Sequence, residues 1–314
     1  KILSPKIVNF GRESNELFRE MNLHAAAAYA RHLLTARSTA GHGVHSPFMF
    51  SFITEVIGGK SDRAIMKEVE SLRREMLADR RVVRVRDLGA GSVVIRGGDR
   101  GTSQAATVNG IQRSIRQIAA AAAVPKREAA MLARIAGSIG KLRNGDQCGS
   151  QTPVAGPDYD DRPVILELGT SLGIGTLALA LGAPEEKVIS VEGCPGLAEI
   201  ARNNLVRHGA HNAEVICMEF SEALHMLRTR NTKVALAFID GNHRGAALTE
   251  YVHSLREMGD EIIIVADDIH MNRDMIQAWR TLPGEGIAPA SVETLRAGIL
   301  FCRRNLTPGR YRVR

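Results

Sequence analysis

From about residue 163 the chain alternates short apolar runs with longer amphipathic ones. Residues 164–168, 188–191, 214–218, 234–239 and 261–266 are apolar runs of strand length. Between them lie helical patterns: one through residue 180, then 196–208, 222–228 and 246–258. Strands that are apolar throughout, joined by short connections to helices, predict a parallel sheet covered on both faces. Trp279 closes a helix after the fifth strand, and 290–295 with 298–302 predict an antiparallel sixth and seventh.

The first half has a different pattern. Helices are expected over 14–37, 47–57, 62–79, 111–123 and 126–139, with a short strand near 81–88. Pro125 separates the last two helices, and 144–163, rich in Gly, Pro, Asp and Gln, reads as a linker. The predicted organisation is therefore a mostly helical accessory or lid region over 1–150 and an α/β domain over 151–314.

The chain of 314 residues is 44% hydrophobic and 24% charged, ordinary for a globular protein with a sizeable core. Its net charge of +7 is concentrated: residues 60–143 hold 18 Lys and Arg against 8 Asp and Glu. Such a stretch suits either a solvated helical face or contact with an acidic partner. Aromatics at 4% argue against a base-stacking RNA binder. Cys148, Cys194, Cys217 and Cys302 show no metal or redox spacing, which predicts reduced thiols and a cytoplasmic setting. No membrane-length apolar run and no signal peptide is apparent.

Ligands of parallel sheets bind at the carboxyl ends of the strands, so the chemistry belongs there. The first strand ends in Glu167-Leu168-Gly169-Thr170-Ser171-Leu172-Gly173, a loop whose glycines allow a tight turn and close backbone approach. The second ends in Val191-Glu192, an acid able to accept both hydroxyls of a ribose. Together they predict a nucleoside-containing cofactor. Residues 173–178 formally match the dinucleotide fingerprint G-x-G-x-x-A, but too far from the strand end. The fourth and fifth strands end in Asp240-Gly241-Asn242-His243 and Asp267-Asp268-Ile269-His270. Three converging carboxylates repel one another unless protons or a cation intervene. His243 and His270 are candidate general bases.

The glycine loop at strand distance resembles the first motif of class I S-adenosylmethionine-dependent methyltransferases. It is nearest to the small-molecule O-methyltransferases that include catechol O-methyltransferase. The resemblance implies a Rossmann-like fold with a seven-stranded, mostly parallel sheet and S-adenosylmethionine as cofactor. It also implies that Glu167, Gly169, Thr170, Gly173, Glu192, Ser221 and Asp240 line that cofactor. Ser221, after strand three, would lie beside the adenine. It further implies a divalent ion such as Mg²⁺ on Asp240, Asp267 and Asp268, although an Asp-Asp pair stands where the family has Asp-Asn. The expected catalytic residues are Asp240, His243, Asp268 and His270, and the expected acceptor is a small molecule.

Residues 87–92, Asp-Leu-Gly-Ala-Gly-Ser, form a second glycine loop, but polar, turn-like sequence follows it instead of an apolar strand. Its combination with Gly41-His42-Gly43-Val44-His45-Ser46-Pro47-Phe48 and with the two Asp-His loops is similar to a methyltransferase family of Bacteroidetes. In that reading His42, His45 and Phe48 line a lid or serve as a helix-packing turn. Other readings are an RNA or protein methyltransferase using the basic stretch, an NAD-dependent oxidoreductase, and a non-catalytic binding domain. A homodimer is a further expectation.

Overall fold

The computed structural model describes residues 23–37, 39–85, 111–143, 162–284, 286–303 and 306–314. Residues 144–161 of the linker expected over 144–163, the glycine loop at 87–92 and the expected helical residues 14–22 lie outside them.

The chain begins with helix α1 (Leu23–Thr35), then α2 (Pro47–Ser51), which continues as one π-helical turn over Phe52–Ile57. Ser46 caps α2 through Met49 N–H, so the H-S-P-F turn is a helix start with Pro47 in the first turn. Helix α3 (Arg63–Ala78) starts at Asp62, whose carboxylate accepts from Ala64 and Ile65 N–H, and buries Met66, Val69, Leu72 and Met76 on one face. Strands β1 (Val82–Val85) and β2 (Ile111–Ser114) form an antiparallel pair. The helix expected over 111–123 therefore starts late, as α4 (Ile115–Ala122). Ser114 and Gln117 make a capping box there, and the four residues before it are strand. Helix α5 (Lys126–Arg143) completes the first half.

The second half alternates β3 (Val164–Leu168), α6 (Ile174–Gly182), β4 (Val188–Glu192), α7 (Pro195–Arg207), β5 (Ala213–Cys217) and α8 (Phe220–Thr229). It continues with β6 (Val234–Ile239), α9 (Gly245–Arg256), β7 (Ile262–Ala266), α10 (Arg273–Thr281), β8 (Ala290–Glu293), β9 (Gly298–Cys302) and β10 (Gly309–Arg312). All eight strands join one sheet in the order β10-β8-β9-β7-β6-β3-β4-β5. Only β9 runs antiparallel to its neighbours, and β10 adds an eighth strand, parallel to β8, beyond the seven expected. From β3 the chain steps outward through β4 and β5, then returns to β6 on the other side. The turning point, between β3 and β6, is where a Rossmann-like sheet opens its ligand crevice.

Alternate residues of each strand supply two cores. Ile165, Leu236, Phe238 and Val265 pack with α3, α5 and α6, whereas Val164, Leu166, Leu168, Ile239 and Ile264 pack with α8, α9 and α10. Helices from the first half thus share a core with one face of the sheet. The α5–α6 crossing is close enough that a Cβ on Gly182 would lie 2.3 Å from Ala133 O. Among the described residues no helix is long and apolar enough to cross a membrane.

Candidate functional site

The loop after β3 is shaped from beneath and from the side. Gly169 has φ +115°, and a Cβ there would meet the carbonyl oxygen of Asp240 at 2.2 Å. The missing side chain lets the first strand-end loop lie directly on the fourth. Gly173, at φ +83°, opens α6. Between them Ser171 sits at φ +48° and donates its N–H to Glu192 Oε2 at 2.8 Å. Cys194 N–H reaches Oε1 of the same carboxylate at 2.9 Å. Burial pushes the Glu192 carboxyl above its ordinary range, and these N–H donors, with that of Gly193, oppose the shift. Glu192 is thereby fixed at the end of β4, beside the glycine loop.

Below the loop Glu167 is only 1% exposed. Its Oε2 accepts from the hydroxyls of Thr176 and Ser190, and Ser190 in turn bonds Thr170 at 2.5 Å. Oε1 has no partner and faces the Cα of Gly175, where a Cβ would approach it to 2.6 Å. Burial outweighs the two hydroxyl bonds and raises the Glu167 pKa to about 7. Glu167 and Thr170 therefore form a floor under the loop, with Glu167 Oε2 and the Thr170 hydroxyl linked through Ser190.

The ends of β6 and β7 bring Asp240, Asp267, Asp268 and His243 together. His243 Nε2 stands 3.8 Å from Asp240 Oδ1. Arg296, from the β8–β9 hairpin, grips Asp267 with Nε at 2.9 and 3.0 Å from its two oxygens and Nη2 at 2.8 Å from Oδ2. The same Nη2 reaches Asp268 Oδ2 at 3.1 Å. Asp268 holds φ +51°, and Ile269 N–H donates to Arg296 O, so the hairpin and the loop are clasped by backbone as well. Burial first, then repulsion from Asp267 and Asp268, pushes Asp240 well above the carboxylate range. Burial opposes the charge on Arg296, but its contacts with Asp267 outweigh that and hold its pKa above the usual value. Tyr29, on α1, is raised by burial and then by the negative charge of Asp268, so α1 comes within electrostatic reach of these carboxylates.

This geometry does not suit a resident divalent ion on the aspartates. Both oxygens of Asp267 are committed to Arg296, and Asp268 shares the same guanidinium, so an internal cation already balances the pair.

Two other predicted residues sit apart. Ser221 turns its hydroxyl to Glu250 Oε1 on α9 at 3.0 Å, while its N–H is taken by the capping carboxylate of Glu219. His270 packs into a separate group with Tyr29, His32 and Glu293, its Nε2 lying 3.5 Å from Glu293 Oε1. Arg296, Tyr29, Thr176 and Ser190 were not anticipated. Ser190 and Thr176 fall in apolar runs, where a hydroxyl needs a buried partner. Arg296 and Tyr29 carry no such signal. A cavity of about 260 Å³ opens at the other end of the sheet, beside Pro163, Lys233, Asp260 and Phe301, away from the strand-end carboxylates.

Residues 166–269 match the family model for a methyltransferase domain. That segment runs from the middle of β3 to the loop after β7 and so contains the glycine loop, Glu192 and the three aspartates. A search of curated proteins finds no match. Among solved structures, a cofactor-bound protein, Rv0187 from MTB, is 20% identical with a TM-score of 0.44, covering 83% of this chain and 99% of its own. An O-methyltransferase from Bacillus cereus in complex with SAH is 17% identical, TM-score 0.37, covering 54% and 89%. TomG from Streptomyces achromogenes, an O-methyltransferase of tomaymycin synthesis in complex with SAM, is 17% identical, TM-score 0.38, with the same coverage.

Proposed function

We propose that the protein is an S-adenosylmethionine-dependent methyltransferase that methylates an oxygen of a small-molecule acceptor. The observation that carries this reading is Glu192, fixed beside a glycine loop by the N–H groups of Ser171 and Cys194. The carboxylate offers about four acceptor positions and three are taken by the N–H groups of Ser171, Cys194 and Gly193, so one remains to accept a ribose hydroxyl. The matched methyltransferase domain supports the same reading. In this proposal residues 151–314 carry the site and 1–150 cover it, with Tyr29 at the acceptor side.

Bound S-adenosylmethionine supplies an activated methyl group on a sulfonium. Transfer of that methyl to an acceptor oxygen would release the acceptor's proton, which a residue of this chain must take. His243, beside Asp240, receives it. Burial and then the two neighbouring carboxylates oppose the charge on Asp240. A cationic ligand favours its ionised form and gains its attraction. Arg296 keeps Asp267 and Asp268 from repelling each other without a metal. Alignment of the acceptor oxygen with the methyl carbon supplies the rest of the rate. Oxygen as the acceptor atom rests on the sequence resemblance to catechol-type enzymes. The basic stretch is partly consumed internally: Arg134 donates to Val56 O, Ile57 O and Ser61, which weakens the macromolecular alternative.

The test is isothermal titration of S-adenosylmethionine and S-adenosylhomocysteine into wild type and Glu192→Ala. Loss of the carboxylate should weaken both by roughly 10- to 100-fold. No binding by the wild type refutes the cofactor, and equal binding by the variant refutes the role of Glu192.

A further inference from the structure

His32 of α1, His270 of the β7–α10 loop and Glu293 at the end of β8 meet at a point no earlier argument used. Both histidines are buried, His32 at 1% and His270 at 4% exposure. His32 Nδ1 lies 3.3 Å from Glu293 Oε1, and His270 Nε2 lies 3.5 Å from the same oxygen. The three ligand atoms all lie within 4.8 Å of one another. We propose that these three side chains form a binding site for a first-row divalent transition ion of the zinc type, independent of the methyl-transfer site.

Four observations support it. First, tetrahedral coordination at about 2.0–2.1 Å sets neighbouring ligand atoms about 3.3 Å apart, and the two separations from Oε1 are of this size. Secondly, the orientation of His32 is that of a ligand. Its Nε2 faces Val313 O at 3.1 Å, and a carbonyl only accepts, so the proton sits on Nε2. Nδ1 then faces the carboxylate oxygen, where either a second ring proton or a bound ion lies between them. Thirdly, His270 has no hydrogen-bond partner on either ring nitrogen although it is buried. Fourthly, Glu293 is supported as ligating carboxylates are. Trp279 Nε1 donates to Oε2 at 3.1 Å and Arg312 Nε to Oε1 at 2.9 Å. Arg312 uses one lone pair of Oε1, leaving the other for an ion. A cavity of about 20 Å³ adjoins the group, between Arg31, Ile276 and Arg280, and has room for one water as a fourth ligand. Two imidazoles and a carboxylate suit zinc or a neighbouring ion better than Mg²⁺, which prefers oxygen throughout.

The bound ion would fasten α1 to the sheet edge. The test is titration of chelator-treated protein with Co²⁺, followed by displacement with Zn²⁺. One equivalent of cobalt should produce the visible bands of a four-coordinate site with nitrogen ligands, abolished by zinc. His270→Gln should weaken binding by more than the about 10- to 100-fold typical of losing an outer partner, while Asp268→Asn leaves it unchanged. Should His270→Gln fail to fold, ¹⁵N-histidine spectra of the wild type decide. Zinc must move the ring nitrogens of His32 and His270 together. Absence of cobalt bands, or loss of binding in Asp268→Asn instead, overturns the proposal and leaves a bridging water or proton.

Discussion

At the scale of single residues, the strand-end loops are held in costly states by their surroundings. Glu167 shows the cost in protons. Its pKa is about 7 when folded and near 4.5 when unfolded. The folded state therefore holds more protons between those values, so stability falls as pH rises through that window. The full shift corresponds to about 3 kcal/mol. Glu167→Gln keeps an acceptor for Thr176 and Ser190 but cannot ionise. It should match wild type near pH 4.5 and be more stable above pH 7, by up to about 3 kcal/mol in urea titrations. Parallel stability curves for the two proteins would remove burial of an ionisable Glu167 from the account. Gly169 shows the cost in space. Gly209 also has positive φ, at +77°, but nothing lies within 4 Å of a Cβ built there. Alanine at Gly209 should cost about 1 kcal/mol from backbone strain alone. Alanine at Gly169 adds collision with Asp240 backbone and should cost roughly 2–4 kcal/mol and abolish cofactor binding. Equal melting temperatures for the two variants would disprove the close approach of the first and fourth strand-end loops.

At the scale of elements, legibility followed the range of the signal. Strands β3, β4, β6 and β7 stand almost where their apolar runs put them, because a strand buried on both faces writes its burial into consecutive residues; β5, at the sheet edge and buried only at Val215, is also near its expected place. Asp62 was likewise readable as a helix start, since its cap reaches only to Ala64 and Ile65. Strands β2 and β10 are four residues each, partly exposed and polar, and exist through pairing with distant chain. No local period announces them. The same reasoning separates Glu192, legible at a strand end, from Arg296, whose meaning depends on where a hairpin folds back. Arg134 belongs to this class. It enters from α5 and satisfies the carbonyls of Val56 and Ile57 at the end of the π-helical turn, at 2.5 and 2.9 Å, and Ser61 at 2.8 Å. Such a half-buried cap has few substitutes. Arg134→Met should cost about 2 kcal/mol in chemical denaturation. Unchanged stability would return Arg134 to the free basic face that its surrounding sequence suggested.

At the scale of the whole molecule, the two ends of the described chain close on each other at the sheet edge. Arg37, just past α1, donates its N–H to Arg312 O at 2.9 Å and accepts from Arg314 N–H at 3.1 Å, so β10 is bonded to β8 on one side and to the α1 exit on the other. Tyr29 lies on the same helix, near the Asp268 and Arg296 pair. Strand β10 therefore sets the position of α1, and α1 in turn closes one side of the proposed acceptor region. Deletion of residues 309–314 removes these backbone bonds and leaves the core of β3 to β9 intact. Amide exchange over residues 25–37 should then rise by at least about tenfold, the equivalent of 1.4 kcal/mol of lost local protection, while β3 and β6 keep theirs. Cofactor binding through Glu192 should survive, because that carboxylate and the glycine loop lie across the sheet from the clasp, whereas acceptor affinity should fall. Unchanged exchange over residues 25–37 would mean that other contacts of α1, such as His32 with Glu293 and Tyr29 with His270, hold it without the clasp. Loss of cofactor binding would mean that the clasp supports the glycine loop as well as the acceptor side.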